Sequence, residues 1–233
     1  MTSPDQPNGK YSTSYRGCRE RITEMVTGLG DDDLARRVPA CPDWTVRDLT
    51  AHIIGVAADL SVGNLEQMGA HEWTSAQIAK RKDHSVTDLI EEWTKLAEEV
   101  EPTADLIPPG AAQMLVGDAV THEHDMRGAL NRPGARDTDA VLIGLDRYIR
   151  VFGKRIKEAE LSSVVVRSGD REWQAGIREP EATLSGDAFG LLRALTGRRT
   201  IDEISGLDWN GDCSAYLAIF STYPPTTISL AES

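Results

Sequence analysis

The sequence contains little cysteine, no long apolar run and only five histidines. Its three cysteines, Cys18, Cys41 and Cys213, lie far apart and lack the paired spacing of a cysteine-based metal site. Such usage is typical of reduced thiols in the cytoplasm, where we expect the protein. No apolar stretch approaches the roughly 18 residues that cross a bilayer. The polar start, Met1 to Lys10, does not have the pattern of a secretory signal.

Positive charge is scarce. The chain has 25 lysines and arginines against 37 aspartates and glutamates, a formal net charge of -12. Binding to a phosphate backbone depends on clustered positive charge, and anionic membrane surfaces repel an acidic chain. We therefore expect no nucleic-acid partner and no membrane partner. The 40% hydrophobic fraction is still sufficient for a core, in one large domain or two small ones.

The first two-thirds of the chain have a helical pattern. Long amphipathic segments are separated by glycine, proline and aspartate, and they predict five helices. Their expected ranges are 12–28, 45–67, 86–100, 112–130 and 138–159. The first four predict an up-and-down four-helix bundle, with the fifth helix leading out of it. This N-terminal domain is expected to span residues 1–160.

The last third of the chain has a different pattern. The β-branched run Ser163–Arg167, a Ser-Gly-Asp turn and an alternating segment to Ile177 predict a β-hairpin. A short strand over 183–186 and helices over 187–196 and 211–221 are expected to follow. The chain is therefore predicted to be of the α+β class, with a small α+β domain over residues 161–233.

The second helix has a marked start. Thr45 and Asp48 have the spacing of a capping box, in which each side chain satisfies a free backbone N–H of the first turn. Trp44 and Leu49 are placed for a hydrophobic staple around this cap. The spacing therefore favours a structural role for Asp48.

One histidine of the fourth predicted helix lies on its apolar side. At about 100° per residue, His122 falls on or beside the face that carries Leu115, Ala119, Met126 and Leu130. Asp118 lies one turn earlier on nearly the same stripe, and His124 falls on the opposite side. A buried imidazole beside a carboxylate is unfavourable unless both are satisfied, which leaves two alternatives: a buried hydrogen bond or a metal site.

A second histidine favours the metal site. His52 flanks the apolar stripe of the second predicted helix, where it can reach a neighbouring helix. Together with Asp118 and His122 it offers two imidazoles and one carboxylate. Three protein ligands leave a fourth position open, as in catalytic sites; this donor set suits zinc first, with iron, nickel and manganese as alternatives. His71 and His84 bracket a polar connecting loop and are expected to be exposed, and neither Cys18 nor Cys41 has a nearby base in sequence.

Three segments resemble a known family. Cys-Pro-Asp-Trp-Thr-Val-Arg-Asp-Leu at 41–49, followed by Ala51-His52, resembles the signature that opens the second helix in the mycothiol-dependent maleylpyruvate isomerase family, a branch of the DinB/YfiT-like bundles. Asp118, His122 and Asp125 are similar to its second signature, a glutamate, three residues, a histidine, two residues and an aspartate. The segment 184–199 resembles the sterol-carrier-like C-terminal domain of many members.

The resemblance implies roles for individual residues. The family's metal triad maps onto His52, Asp118 and His122, although Asp118 replaces the usual glutamate and its carboxylate lies roughly 1.5 Å closer to the backbone. Asp125 would fix an imidazole, with a surface salt bridge as the alternative. The expected ligands of the carboxylate of mycothiol are Arg193, Arg198 and Arg199, with a solvated basic turn as the alternative. Asp125 and Arg198 are thus the candidate catalytic residues.

The implied function is thiol chemistry at a divalent metal. Mycothiol or water would occupy the open metal position, and a metal-bound thiol loses its proton near neutral pH. The protein would act on a small electrophilic substrate, as an isomerase or as an S-transferase, and as a monomer or homodimer. Two alternatives stay open: a non-catalytic, regulatory module that binds metal or a small ligand, and a helical domain in which the His–Asp pair only packs.

Overall fold

The chain folds into two compact units. The structure, a computed structural model, describes residues 9–64 and 69–232. One unit extends to Gly134 and the other begins at Ala135. The sequence placed this boundary near residue 160. The difference arises because the helix Asp139–Glu158 packs against the strands and helix of the second unit rather than leading out of the first.

The first unit contains the four long helices that the sequence predicted. In chain order its elements are α1 (Lys10–Val26), α2 (Asp31–Leu34), β1 (Arg37–Val38), β2 (Cys41–Thr45), α3 (Val46–Ser61), α4 (His71–Lys80), α5 (Val86–Thr103) and α6 (Pro109–Leu130). α1 and α3 each pack against both α5 and α6, which gives a four-helix bundle. The second helix ends earlier than expected, and the predicted part at 65–67 lies outside the described residues.

The start of α3 has the predicted capping box. The backbone N–H of Thr45 donates to the Asp48 carboxylate at 3.0 Å, and the backbone N–H of Asp48 donates to the Thr45 hydroxyl at 3.1 Å. Two N–H groups that the helix cannot satisfy by itself are thereby bonded. The cap fixes where α3 begins, and therefore the turn on which His52 lies.

A helix replaces the predicted polar loop between His71 and His84. α4 buries only Trp73 and, one turn later, Gln77. One apolar and one polar residue are too few to form a recognisable amphipathic pattern in the sequence. The expected exposure of both histidines is confirmed.

Two buried glutamates attach α1 to its neighbours. Glu101 of α5 accepts hydrogen bonds from Arg16 at 2.6 Å and from Arg19 at 2.7 Å. Glu123 of α6, whose side chain is fully buried, accepts two bonds from Arg21 at 2.7 and 2.8 Å. The charges are paired on both sides of α1, as burial of a carboxylate requires.

α6 is enclosed on all sides, because α1, α3 and β1 pack around it. His124 does lie opposite the predicted apolar face, yet it is only 3% exposed. Next to it, Glu123 and Asp125 are buried as well. Across the described ranges, no helix is both long and apolar enough to cross a membrane.

The second unit is a small α+β fold built on one long helix. Its elements are α7 (Asp139–Glu158), β3 (Ser163–Ser168), β4 (Arg171–Ala175), β5 (Pro180–Ser185), α8 (Ala188–Leu195), α9 (Ile201–Ser205) and β6 (Asp208–Asn210). The strand order is β4-β3-β5-β6, with β3 and β5 parallel and the other pairs antiparallel. Together the two units confirm the α+β class; the likeness of this unit to sterol-carrier domains stays a prediction.

The helix predicted over 211–221 is wrong. Only a short 3₁₀ turn, Leu217–Ile219, forms there. The aromatic side chains of this segment pack inward individually: Tyr216 stacks on Trp209 with ring centroids 6.1 Å apart, and Phe220 meets Phe152 at 4.9 Å. Side chains that cover a core one by one imitate helical spacing without requiring a helix.

Candidate metal centre

α3 and α6 bring His52, Asp118 and His122 together. Nε2 of His52 lies 3.7 Å from Oδ1 of Asp118, and Nε2 of His122 lies 3.6 Å from the same oxygen. The two imidazole centroids are 5.1 Å apart, with the rings nearly perpendicular. One ligand atom from each residue lies within 4.8 Å of the other two. The structure therefore forms the cluster that helical spacing predicted.

The spacing of these atoms suits a metal ion better than a hydrogen bond. Distances of 3.6 and 3.7 Å are too long for hydrogen bonds between nitrogen and oxygen. Ligand atoms about 2.1 Å from a tetrahedral zinc ion lie about 3.4 Å from one another. Two imidazoles and a carboxylate are also the donor types that zinc prefers. The residues present thus fit a divalent cation, and the side chain of Asp118 is long enough to take part.

The outer ring nitrogen of His122 is held by Asp125. Nδ1 of His122 lies 2.9 Å from Oδ2 of Asp125, which is only 1% exposed. Since an ionised carboxylate only accepts hydrogen bonds, Nδ1 carries the proton and Nε2 presents its lone pair to the cluster. This burial excludes the surface salt bridge that was the alternative for Asp125.

We expect Asp125→Asn to weaken metal binding about 10–100-fold, the usual effect of losing the carboxylate behind a metal-bound imidazole. The measurement is competition with a chromophoric chelator. Asp32→Asn, on the exposed side of α2, is the matched control and should leave the affinity unchanged. Equal affinities of the two variants would contradict the role of Asp125.

Gln77 holds the other imidazole, and the sequence did not indicate it. Its Oε1 lies 2.8 Å from Nδ1 of His52. Gln77 belongs to α4, which the sequence analysis interpreted as a loop, and a single buried glutamine leaves no pattern in sequence. The sequence offers one weak signal: Gln77 lies one helical turn after Trp73, so the two residues share a face if the segment is a helix.

Trp44 and Cys41 reach the cluster from β2. The ring of Trp44 is 4.9 Å from that of His52 and 6.1 Å from that of His122. The Cys41 thiol donates to Asp125 over 3.7 Å, and these two residues with His122 form a second group of adjacent ligand atoms. The sequence placed Trp44 in a staple and found no base near Cys41, because β2 approaches α6 only in the folded chain.

Cys18 cannot serve as a nucleophile. It is fully buried in α1, and burial raises the pKa of its thiol far above the usual range. A thiol that stays protonated is unreactive. Cys41 is the half-buried thiol of the first unit, and it lies at the cluster.

The three candidate arginines lie in the second unit, and two of them bind one carboxylate. Arg193 donates to Glu232 at 2.9 Å and Arg199 at 2.6 Å. Burial alone would raise the pKa of the Glu232 carboxyl, but hydrogen bonds and charge from both arginines lower it below its usual range. Arg198 donates to the Thr196 carbonyl and is only 6% exposed. With Arg193 fully buried as well, the segment is not the solvated basic turn of the alternative interpretation.

Comparison with known proteins identifies the fold and the N-terminal domain. A family model described as the mycothiol maleylpyruvate isomerase N-terminal domain matches residues 15–138, more than half of the chain. Two crystal structures of a mycothiol-dependent maleylpyruvate isomerase are similar. One, a histidine-to-alanine mutant, has TM-score 0.56 and 14% identity, covering 84% of this chain and 92% of its own. The other has TM-score 0.54 and 15% identity, with 85% and 92% covered. A search of curated proteins found no match.

Proposed function

Because the chain belongs to the mycothiol maleylpyruvate isomerase family, as the domain match shows, we propose that it is a metal-dependent enzyme that uses mycothiol on a small electrophilic substrate. The observation that carries this proposal is the convergence of two imidazole Nε2 atoms on one carboxylate oxygen. Each imidazole is also fixed from behind, by Asp125 or by Gln77. A bound cation needs both imidazole rings to be oriented toward one point, whereas simple packing does not need this orientation.

The residues of the cluster have separate tasks. His52, Asp118 and His122 would hold the ion and leave one position for a fourth ligand. When bound, a divalent ion such as zinc keeps a thiol in its reactive thiolate form at neutral pH. The half-buried indole of Trp44, against both imidazole rings, excludes water from one side of the cluster.

Two reactions would use the same thiol. In isomerisation the thiol sulfur adds to an activated double bond, the resulting single bond rotates, and elimination restores both the double bond and the free thiol. In S-transfer the sulfur either displaces a leaving group from the electrophile or adds to its double bond, which then takes up a proton, and in both cases the sulfur stays in the product. We propose isomerisation first, since the structural neighbours carry that name, with S-transfer as the second reaction.

The arginines are proposed to bind the carboxylate of mycothiol, with Arg198 as the candidate catalytic residue among them. Arg193 and Arg199 already bind the Glu232 carboxylate together, so the carboxylate of mycothiol would have to replace that of Glu232 at these two side chains. Paired guanidinium groups suit a carboxylate because each offers parallel N–H donors.

Measuring the concentration of free thiol during the reaction distinguishes isomerisation from S-transfer. With mycothiol and an electrophile that carries an activated cis double bond, we expect the trans product to form while the free thiol concentration stays constant. S-transfer would instead consume one thiol per product molecule. The chelator-treated, metal-free protein is the control. If no electrophile of a broad panel reacts faster than in this control, the chain is a binding module and the proposal fails.

A further inference from the structure

Gln77 lies between two polar side chains of α3 and contacts both. Its Oε1 is 2.8 Å from Nδ1 of His52, and its Nε2 donates a 2.7 Å hydrogen bond to Oδ2 of Asp59. Gln77 is 4% exposed and His52 is 2% exposed, so water competes little for the bond between them. We call these three side chains the Asp59–Gln77–His52 relay.

The relay has one orientation in which every bond is satisfied. The Asp59 carboxylate only accepts hydrogen bonds, so the amide must turn its NH₂ group toward it. The amide oxygen then faces His52, and because that oxygen also only accepts, Nδ1 of His52 must carry the ring proton. Nε2 is left with its lone pair, directed toward Asp118 and His122.

Gly55 provides the space for this relay. His52, Gly55 and Asp59 follow one another at spacings of three and four residues and therefore share one face of α3. A Cβ at Gly55 would lie 2.4 Å from Cβ and 2.6 Å from Cγ of Gln77, distances that real side chains do not reach. α4 can thus approach α3 closely only because position 55 lacks a side chain.

We propose that Gln77 and Asp59 are positioning residues that fix His52 in its Nδ1–H tautomer and direct Nε2 into the candidate metal centre. The inference rests on the proposed function only for the identity of the ion that Nε2 binds. The tautomer of His52 does not depend on the proposed function. Asp125 fixes His122 by direct contact, whereas Asp59 acts on His52 through an intervening amide. The two imidazoles are therefore controlled by separate groups.

The tautomer is measured first, in the metal-free protein. Long-range ¹H–¹⁵N correlation spectra of histidine-labelled chain distinguish a protonated Nδ1 from a protonated Nε2. We expect His52 to show one tautomer, protonated at Nδ1, and Asp59→Ala to show a mixture. Asn64→Ala is the matched control, because Asn64 donates at 2.9 Å to Oδ1 of Asp59, whereas Gln77 donates to Oδ2. A mixture in the unmodified chain, or an unchanged single tautomer in Asp59→Ala, overturns the proposal.

Metal affinity is measured second. Gln77→Ala should bind zinc about 10–100-fold more weakly, as loss of a ligand's supporting partner does. The double variant Gln77→Glu/Asp59→Asn exchanges the amide and the carboxylate, so position 59 now donates and position 77 accepts from both neighbours. It should recover most of the lost affinity, whereas Gln77→Glu alone places two carboxylates in contact and should not. Failure of the exchange to restore binding, with the fold intact by circular dichroism, contradicts the relay.

The two measurements separate this inference from the proposed function. A protein that shows the Nδ1–H tautomer at His52 and responds to Asp59→Ala, but binds no zinc, keeps the relay and rejects the metal centre. A protein that binds zinc equally well in all variants keeps the metal centre and rejects the relay.

Discussion

His122→Ala is expected to remove bound divalent metal from the purified protein. His122 contacts both Asp118 and Asp125, and alanine deletes a ligand together with its hydrogen bond to the Asp125 carboxylate. Removing a supporting partner alone weakens metal affinity about 10–100-fold, and the loss of affinity in His122→Ala should be larger. Elemental analysis after purification without added metal measures the metal content, and His52→Ala should give the same result.

The control for this experiment is His71→Ala. His71 is exposed at the start of α4, so its replacement removes an imidazole without disturbing the cluster. Metal content should stay at the unmodified level in this control. If His122→Ala and His52→Ala both keep a full equivalent of metal, the three side chains do not form the site.

Glu123→Gln is expected to be the most destabilising isosteric change in the first unit. The Glu123 side chain is fully buried and accepts bonds from Arg21 and Arg127, at distances between 2.7 and 3.0 Å. An amide keeps the shape but removes the negative charge and turns an NH₂ group against two guanidinium groups. Breaking a buried pair in this way costs about 3–5 kcal/mol. For a chain of this size that corresponds to a fall in unfolding temperature of roughly 10 °C.

A surface ion pair provides the comparison. Lys154 lies 3.7 Å from Glu158 and its side chain is 75% exposed. Lys154→Ala should change the unfolding temperature by no more than about 1–2 °C, because exposed pairs contribute little. Similar temperatures for Glu123→Gln and Lys154→Ala would show that the buried pair does not hold α1 against α6.

The parts that the sequence predicted well are those with a regular period. The four bundle helices, the cap at Thr45 and the cluster of His52, Asp118 and His122 all follow from helical spacing. The family membership inferred from the segments around these residues is confirmed as well. Period and spacing are local properties of the chain, so a single sequence displays them directly.

The parts that were wrong or missed depend on long-range packing. α7 has the same amphipathic pattern as the bundle helices, and only the partner of its apolar face assigns it to the second unit. Gln77 can reach His52 because Gly55 has no side chain and lets α4 pack closely against α3. Arg193 and Arg199 meet Glu232, more than thirty residues away, through chain folding that no local pattern encodes.

The proposed metal centre at His52 would also determine when the protein can first hold an ion during its synthesis. His52 is contributed by α3, but the other two ligands belong to α6, which leaves the ribosome only after α4 and α5 have been made. A nascent chain that ends before α6 offers a single imidazole of this set and cannot retain the ion. At the proposed centre, metal uptake would thus be restricted to chains whose bundle is complete.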